Sequence, residues 1–141
     1  MQNHSVYDKI NYNLYVGVDM AERTIAAVAT PLGDGSVGVI RISGDNAFNI
    51  ADSVFKSISG KKIKDIAGYT ALFGEVYSDD GRIDEAVALK FVAPKSYTGE
   101  DVVEISVHGG TLMVKEALRA VLKGGAVLAA PGEFTKRAFL N

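Results

Sequence analysis

Val103, Ile105 and Val107 alternate with Glu104, Ser106 and His108 in the middle of the chain. A period of two marks a strand with one buried face, so the other face carries a carboxylate, a hydroxyl and an imidazole. Tyr97-Thr98-Gly99-Glu100-Asp101 leads in as a turn, with Gly99 free to take positive φ. Gly109-Gly110 leads out to a helix that Thr111 can cap, with Val114, Leu118, Val121 and Leu122 as its apolar stripe and Gly124-Gly125 at its end. Upstream, Ile25 to Thr30 predicts a short strand stopped at Pro31, and Val39 to Ser43 a second one. Asp45 is then read as the cap of a helix whose apolar side runs from Ala47 and Phe48 to Phe55 and Ile58, closed by Ser59-Gly60-Lys61-Lys62. Thr70 to Tyr77 and Glu85 to Val92 read as a hairpin turning at residues 78–82, with Val87, Leu89 and Phe91 as the core face of its second strand. Ala126 to Ala129 is a last short strand, and the segment from Pro131 to Asn141 is helix-like. The order β-β-α-β-β-β-α-β predicts an α+β domain, a mixed or antiparallel sheet with helices packed on one face.

Composition narrows the function classes. The chain has 141 residues, enough for one domain with a single core, and is 48% hydrophobic and 23% charged, as globular proteins are. A formal net charge of −2 gives no electrostatic footprint for nucleic acid or an anionic membrane. Cysteine is absent, which removes disulfides, thiolate metal sites and any cysteine nucleophile and fits a cytoplasmic location. Two histidines, His4 and His108, make a histidine-rich metal site unexpected. No apolar run approaches the ~18 residues of a membrane span, and the N-terminus lacks the pattern of a secretory signal. Residues 1–23 are polar and aromatic and are expected to form a loosely held extension, with the domain proper at 24–141.

The seventeen residues from Pro94 to Gly110 bring a turn, a polar strand face and a helix start together. That convergence fits a site, and it equally fits a central strand flanked by turn glycines. Arg41, on the face of its strand opposite Ile40 and Ile42, is either a solvated charge or an anion contact. Gly33-Asp34-Gly35-Ser36-Val37-Gly38 matches the dinucleotide fingerprint literally, but that motif must open a helix, and here an alternating β-branched strand follows. The glycines are therefore read as a connection between strands. No G-x-x-x-x-G-K-[ST] loop occurs, so the chain is expected neither to bind nor to hydrolyse GTP through a phosphate loop.

Three blocks carry a resemblance. They are Thr24 to Pro31 with Val39-Ile40-Arg41-Ile42-Ser43-Gly44; then Ser96 to Asp101 with His108-Gly109-Gly110; then Pro131 to Asn141 (PGEFTKRAFLN). Together they resemble the start of the tRNA modification GTPase family MnmE (TrmE), from about Thr24 to the last residue. The resemblance implies an N-terminal fragment of a multidomain protein, similar to aminomethyltransferase-type folate-binding domains. It implies binding of 5-formyltetrahydrofolate or a related tetrahydrofolate, and a homodimer. It also implies work with the flavoprotein MnmG (GidA) on the wobble uridine of tRNA. GTP, Mg and K would belong to a GTPase domain outside this chain. The family's folate positions match Arg41 and Glu104, and a further family lysine would fall beyond Asn141.

On that reading Glu104 accepts the paired 2-amino and N3–H donors of a pterin, as a carboxylate accepts an arginine fork. Arg41 suits a carbonyl, formyl or carboxylate oxygen. Tyr97 is a weaker candidate for stacking on a flat ring, with a packed turn aromatic as the alternative. His108 is weaker still and is read as shaping the backbone before the glycine pair. Arg137 and Glu133 are expected to secure the chain to a following helical domain. Two rival functions stay open: a stand-alone folate-dependent one-carbon transferase, which the absent cysteine and scarce histidines disfavour, and a pure dimerisation platform, which the retained Arg41 and Glu104 disfavour.

Overall fold

The computed structural model describes residues 23–33 and 37–141, so the extension expected at the N-terminus and the tip of the glycine-rich connection lie outside the described residues. The elements are β1 (Ile25–Val28), β2 (Gly38–Ser43), α1 (Ala47–Val54), β3 (Phe55–Ser57), a 3-10 turn (Ile63–Asp65), β4 (Ala71–Ser78), β5 (Gly81–Phe91), β6 (Val102–Val107), α2 (Gly110–Lys123), β7 (Val127–Leu128) and α3 (Glu133–Leu140). They build one seven-stranded sheet in the order β3-β4-β5-β6-β2-β1-β7. Every pairing is antiparallel except β1 with β7, so the sheet is mixed and the fold α+β, as the pattern predicts.

The core lies between one sheet face and helices α1 and α2. Ala26, Ile40, Ile42, Val103, Ile105 and Val107 meet Ala47, Ile50, Ala51 and Val54 of α1 and Val114, Ala117, Ala120 and Val121 of α2. Gly38, the last glycine of the spurious fingerprint, has a packing reason: a Cβ there would collide with Val114. It lets α2 approach β2 closely, the role glycine has wherever backbones are crowded.

Three expectations are corrected. The first helix ends at Val54, not near Ile58, because Phe55-Lys56-Ser57 turns extended and pairs with Val76-Glu75-Gly74 of β4. Gly74 permits this, since any side chain there would meet the Lys56 carbonyl. Ile58 is consequently exposed, and the Asp52 carboxylate, rather than the lysine pair, organises the following turn by accepting from the Ile63 and Lys64 N–H groups. The caps also differ. Asn46 is the N-cap of α1, its N–H held by Thr24 Oγ1, and α2 begins at Gly110 behind Gly109, ahead of Thr111.

The third correction concerns β5, whose faces are inverted relative to expectation. Ala86, Ala88 and Lys90 face the helices and are buried, while Val87, Leu89 and Phe91 stand on the opposite, half-exposed face. The register leaves no choice, because Ala88 pairs with Ile105 and Leu89 with Glu104. Small alanines fit beneath the helices, and Lys90 is tolerated there because its ammonium donates to the Lys64 and Ile66 carbonyls and lies over the Phe48 ring.

Candidate functional site

Arg41 and Glu104 are direct cross-strand partners on β2 and β6, on the face away from α1 and α2. The Arg41 Nε–H donates to Glu104 Oε1 at 3.2 Å, and the two side chains keep 23% and 27% of their surface. The pair is neither sunk in the core nor fully hydrated, so its charges act in an intermediate dielectric. Sequence places them on polar faces of two separate strands; only the sheet order makes those strands neighbours. Among the described residues, the remaining Arg41 nitrogens meet no protein acceptor and Glu104 Oε2 meets no protein donor.

The Arg41 guanidinium carbon lies 5.1 Å from the centre of the Tyr97 ring and 5.3 Å from that of Phe134, within cation–π range of both. These residues border a cleft of about 380 Å³ whose remaining wall is Ala27 to Ala29, Ala129 to Gly132 and Thr135. Tyr97 contacts the cation from the loop that leads into β6. Phe134 belongs to the helix-like segment at 131–141; its place beside Arg41 depends on the chain returning after β7.

The loop at 96–101 and α3 hold each other. Gly99 takes φ 78°, the positive value expected, and tightens the turn. Arg137, 5% exposed, donates to both Glu100 oxygens and to Glu133. Glu100 also accepts from Ser43 Oγ, itself bonded to Thr98 Oγ1. The Tyr97 hydroxyl meets Thr135 Oγ1 at 3.0 Å, and Asn141 Nδ2 donates to the Thr98 carbonyl. Arg137 and Glu133 thus brace the cleft's own loop.

His108 is not part of this constellation. It lies past the end of β6, exposed, four residues along from Glu104, and is not among the residues bordering the cleft. What fixes its turn is Asp84, whose Oδ2 accepts from the backbone N–H groups of His108 and Gly109 at 2.8 Å each. Among the described residues, no cluster of three potential metal ligands occurs and no helix is long and apolar enough to cross a membrane.

These features define an α+β domain with one helix-covered sheet face and one face bearing an ion pair beside an aromatic cleft. The chain belongs to the family described as GTP-binding protein TrmE N-terminus, which matches residues 24–141. It is 53% identical over 118 residues to a tRNA modification GTPase MnmE of Caldicellulosiruptor saccharolyticus, covering 84% of this chain and 26% of the relative. A protein of the same description from Geobacillus kaustophilus is 51% identical over 120 residues (84% and 26%), and one from Chlorobaculum tepidum 49% over 118 (83% and 25%). The chain thus spans about a quarter of the length of these curated relatives.

Proposed function

We propose that this chain is the tetrahydrofolate-binding and self-associating module of a GTPase that modifies the wobble uridine of tRNA together with a flavoprotein of the MnmG type, in the cytoplasm. The observation that carries the folate reading is the Arg41–Glu104 pair beside an aromatic cleft. The flat pterin of a reduced folate presents paired N–H donors next to a carbonyl oxygen on one edge. The pair offers one acceptor and one donor group of matching kinds, each with hydrogen-bonding capacity left over. Glu104 Oε1 is already engaged by Arg41, so a pterin edge meets Oε2 directly and shares Oε1 with the guanidinium. The ligand itself, when bound in the whole protein, would supply the one-carbon unit; these side chains bind and orient it.

Self-association is supported by the half-exposed apolar residues of the open sheet face, with Phe73 48% exposed beside Val87 and Leu89. Calorimetric titration with 5-formyltetrahydrofolate tests the folate reading, and saturable binding that weakens in Arg41→Ala is the expected result. Heat indistinguishable from dilution at about millimolar ligand would sink it. Sedimentation velocity at micromolar protein tests the second part: a species heavier than one 15.0 kDa chain is expected, and a monomer throughout would reject it.

A further inference from the structure

We propose that the turn of residues 59–64, at the β3 edge of the sheet, is a contact surface for tRNA phosphates, met by Lys61, Lys62 and Lys64. This rests on the tRNA part of the proposed function and adds the place on this chain where the nucleic acid touches. The overall charge of −2 conceals the feature that carries it. Residues 53–64 hold four of the chain's fifteen lysines and arginines and none of its seventeen acidic residues. Lys56 is accounted for, since it lies over the Tyr77 ring and stands opposite Glu75 in the ladder. Lys61, Lys62 and Lys64 are exposed, and among the described residues none of them pairs with a carboxylate. Nor do they serve a helix end: α1 stops at Val54, and a dipole is felt only within its last turn.

The backbone beneath these lysines is pinned from three sides. Ser57 Oγ donates to the Lys61 carbonyl, and the two Asp52 oxygens accept from the Ile63 and Lys64 N–H groups. The buried Lys90 ammonium donates to the Lys64 and Ile66 carbonyls, which places one more cation under the turn. Ile63, 1% exposed, anchors the 3-10 turn in the core. The lysines are therefore presented on a fixed frame, which lowers the ordering cost of meeting a polyanion. Gly60 leaves the approach open, because a Cβ there would meet nothing. Lys61 and Lys62 border an open cleft of about 640 Å³, in which Asp65 is the one carboxylate. Lysine is depleted at the centres of protein interfaces but is a standard partner of nucleic-acid phosphates, so the turn suits RNA better than an acidic protein. Such contacts position a nucleic acid without reading its bases. The turn lies at the opposite edge of the sheet from β7 and the aromatic cleft, so tRNA held here leaves the Arg41–Glu104 pair free.

The test follows binding of a labelled tRNA transcript to the chain by fluorescence anisotropy, at salt from about 50 to 200 mM. Glutamine at all three positions (Lys61→Gln, Lys62→Gln and Lys64→Gln together) is expected to weaken binding roughly 10-fold or more at the low-salt end. It should also flatten the slope of log affinity against log salt by roughly 2 to 3, the release of about one counterion per lost contact. Arginine at the same three positions keeps the charge and keeps binding, which separates the effect from loss of fold. Glutamine at Lys95, Lys115 and Lys136, three exposed lysines elsewhere, removes the same charge and should cost no more than about 3-fold. Equal losses in the two glutamine variants, or no binding of tRNA at low salt, overturn the assignment. Poly-L-glutamate is the competing probe. If it binds as tightly as tRNA and is lost in the Lys61, Lys62, Lys64 variant, the surface belongs to an acidic protein and the RNA assignment falls. None of these results alters the folate titration or the sedimentation test. A chain that binds tRNA through this turn but takes no folate keeps the turn's role and loses the folate reading.

Discussion

Ile105 and Glu104 are adjacent in β6, yet one is fully buried against the helices while the other stands half-exposed beside an arginine. The same contrast runs across the sheet. On the covered face Ile40, Ile42, Val103 and Val107 have no exposed surface, and the partner positions on β5 shrink to Ala86 and Ala88. On the open face the β5 and β4 side chains are larger and less buried, with Val87, Leu89, Phe91 and Phe73 lying on the β5 side of the Arg41–Glu104 pair. Only towards the start of β6 is this face roofed, by the 96–101 loop and α3, where Val102 and Ser43 are buried. The difference teaches that residue size does not identify the core of this sheet. The covered face needs small residues on β5 because helices press on it, and the open face keeps large apolar ones where a ligand or a second copy can use them.

The sharpest way to break this comparison is to truncate one residue on each face. Ile105→Ala is expected to destabilise the chain by about 3–4 kcal/mol, since a fully buried isoleucine leaves a cavity between sheet and helices. Leu89→Ala, on the neighbouring strand but the open face, is expected to cost about 1 kcal/mol or less, because water already reaches it. Urea unfolding of both variants decides the matter, and equal losses would mean that the open face is core.

Next in size is the roofed end. Arg137→Met removes the cation between Glu100 and Glu133 and keeps the apolar stem. Breaking a buried pair from one side costs several kcal/mol, but the two carboxylates retain 15% and 12% exposure and can rehydrate, so about 3 kcal/mol is expected. The loss should be local first, seen as faster amide exchange in α3 and the 96–101 loop before β6 responds. Uniform acceleration across the whole sheet would contradict the view of α3 as a separate brace.

The sequence made much of the covered face legible, and it did so through periodicity. Val103, Ile105 and Val107 and the α2 stripe needed no partner to be read, because alternation and helical spacing are local signals. β5 was misread for the same reason: Val87, Leu89 and Phe91 look like a core face by hydrophobicity, whereas the register to β6 assigns that role to two alanines and a lysine. Lys90 is buried only because the carbonyls of Lys64 and Ile66, more than twenty positions away, receive it. Part of the candidate site is legible as chemistry: Arg41 and Glu104 stand out as charges on strand faces, but their direct pairing needs the β2–β6 adjacency that no local pattern encodes. That Phe134 borders the same cleft is not legible locally, because it arrives from the far end of the chain. Gly74 was the overlooked signal for β3, a glycine in a strand interior that marks close backbone approach.

A smaller effect on stability separates the open face's chemistry from its structural role. Glu104→Gln keeps the side chain's shape, and the pair it belongs to is about a quarter exposed, so stability should move by only about 0.5 kcal/mol. Under the proposed function the same change lowers affinity for 5-formyltetrahydrofolate by roughly 10- to 150-fold, the worth of a charge-assisted bond. Thermal melts and calorimetry on one preparation read both. A variant that melts far below its parent would make the carboxylate structural.

The smallest expected effect lies at the distal end of the open face, where Glu75 accepts from the Tyr77 hydroxyl at 2.7 Å and from Arg82 at 3.3 Å. The tyrosine's bond, more than the guanidinium, holds the Glu75 carboxyl below its ordinary pKa, and the same bond raises the Tyr77 phenol above its own. A carboxylate whose folded pKa is depressed stabilises the fold above its unfolded pKa, and that contribution fades as pH falls through the folded value. A phenol whose folded pKa is raised stabilises it below its unfolded pKa, and loses that contribution as pH climbs through the folded value. Tyr77→Phe deletes the shared bond, whose contribution is fully present near neutrality, so the plateau there should drop slightly and both limbs of a stability–pH curve become shallower. Both groups are surface groups screened by solvent, so the change is expected to be modest and to shrink further in added salt. Urea midpoints from mildly acidic to strongly alkaline pH provide the measurement. Limbs as steep in Tyr77→Phe as in the parent would show that this end of the face owes nothing to the pair, and that its polar residues only keep the hairpin in water.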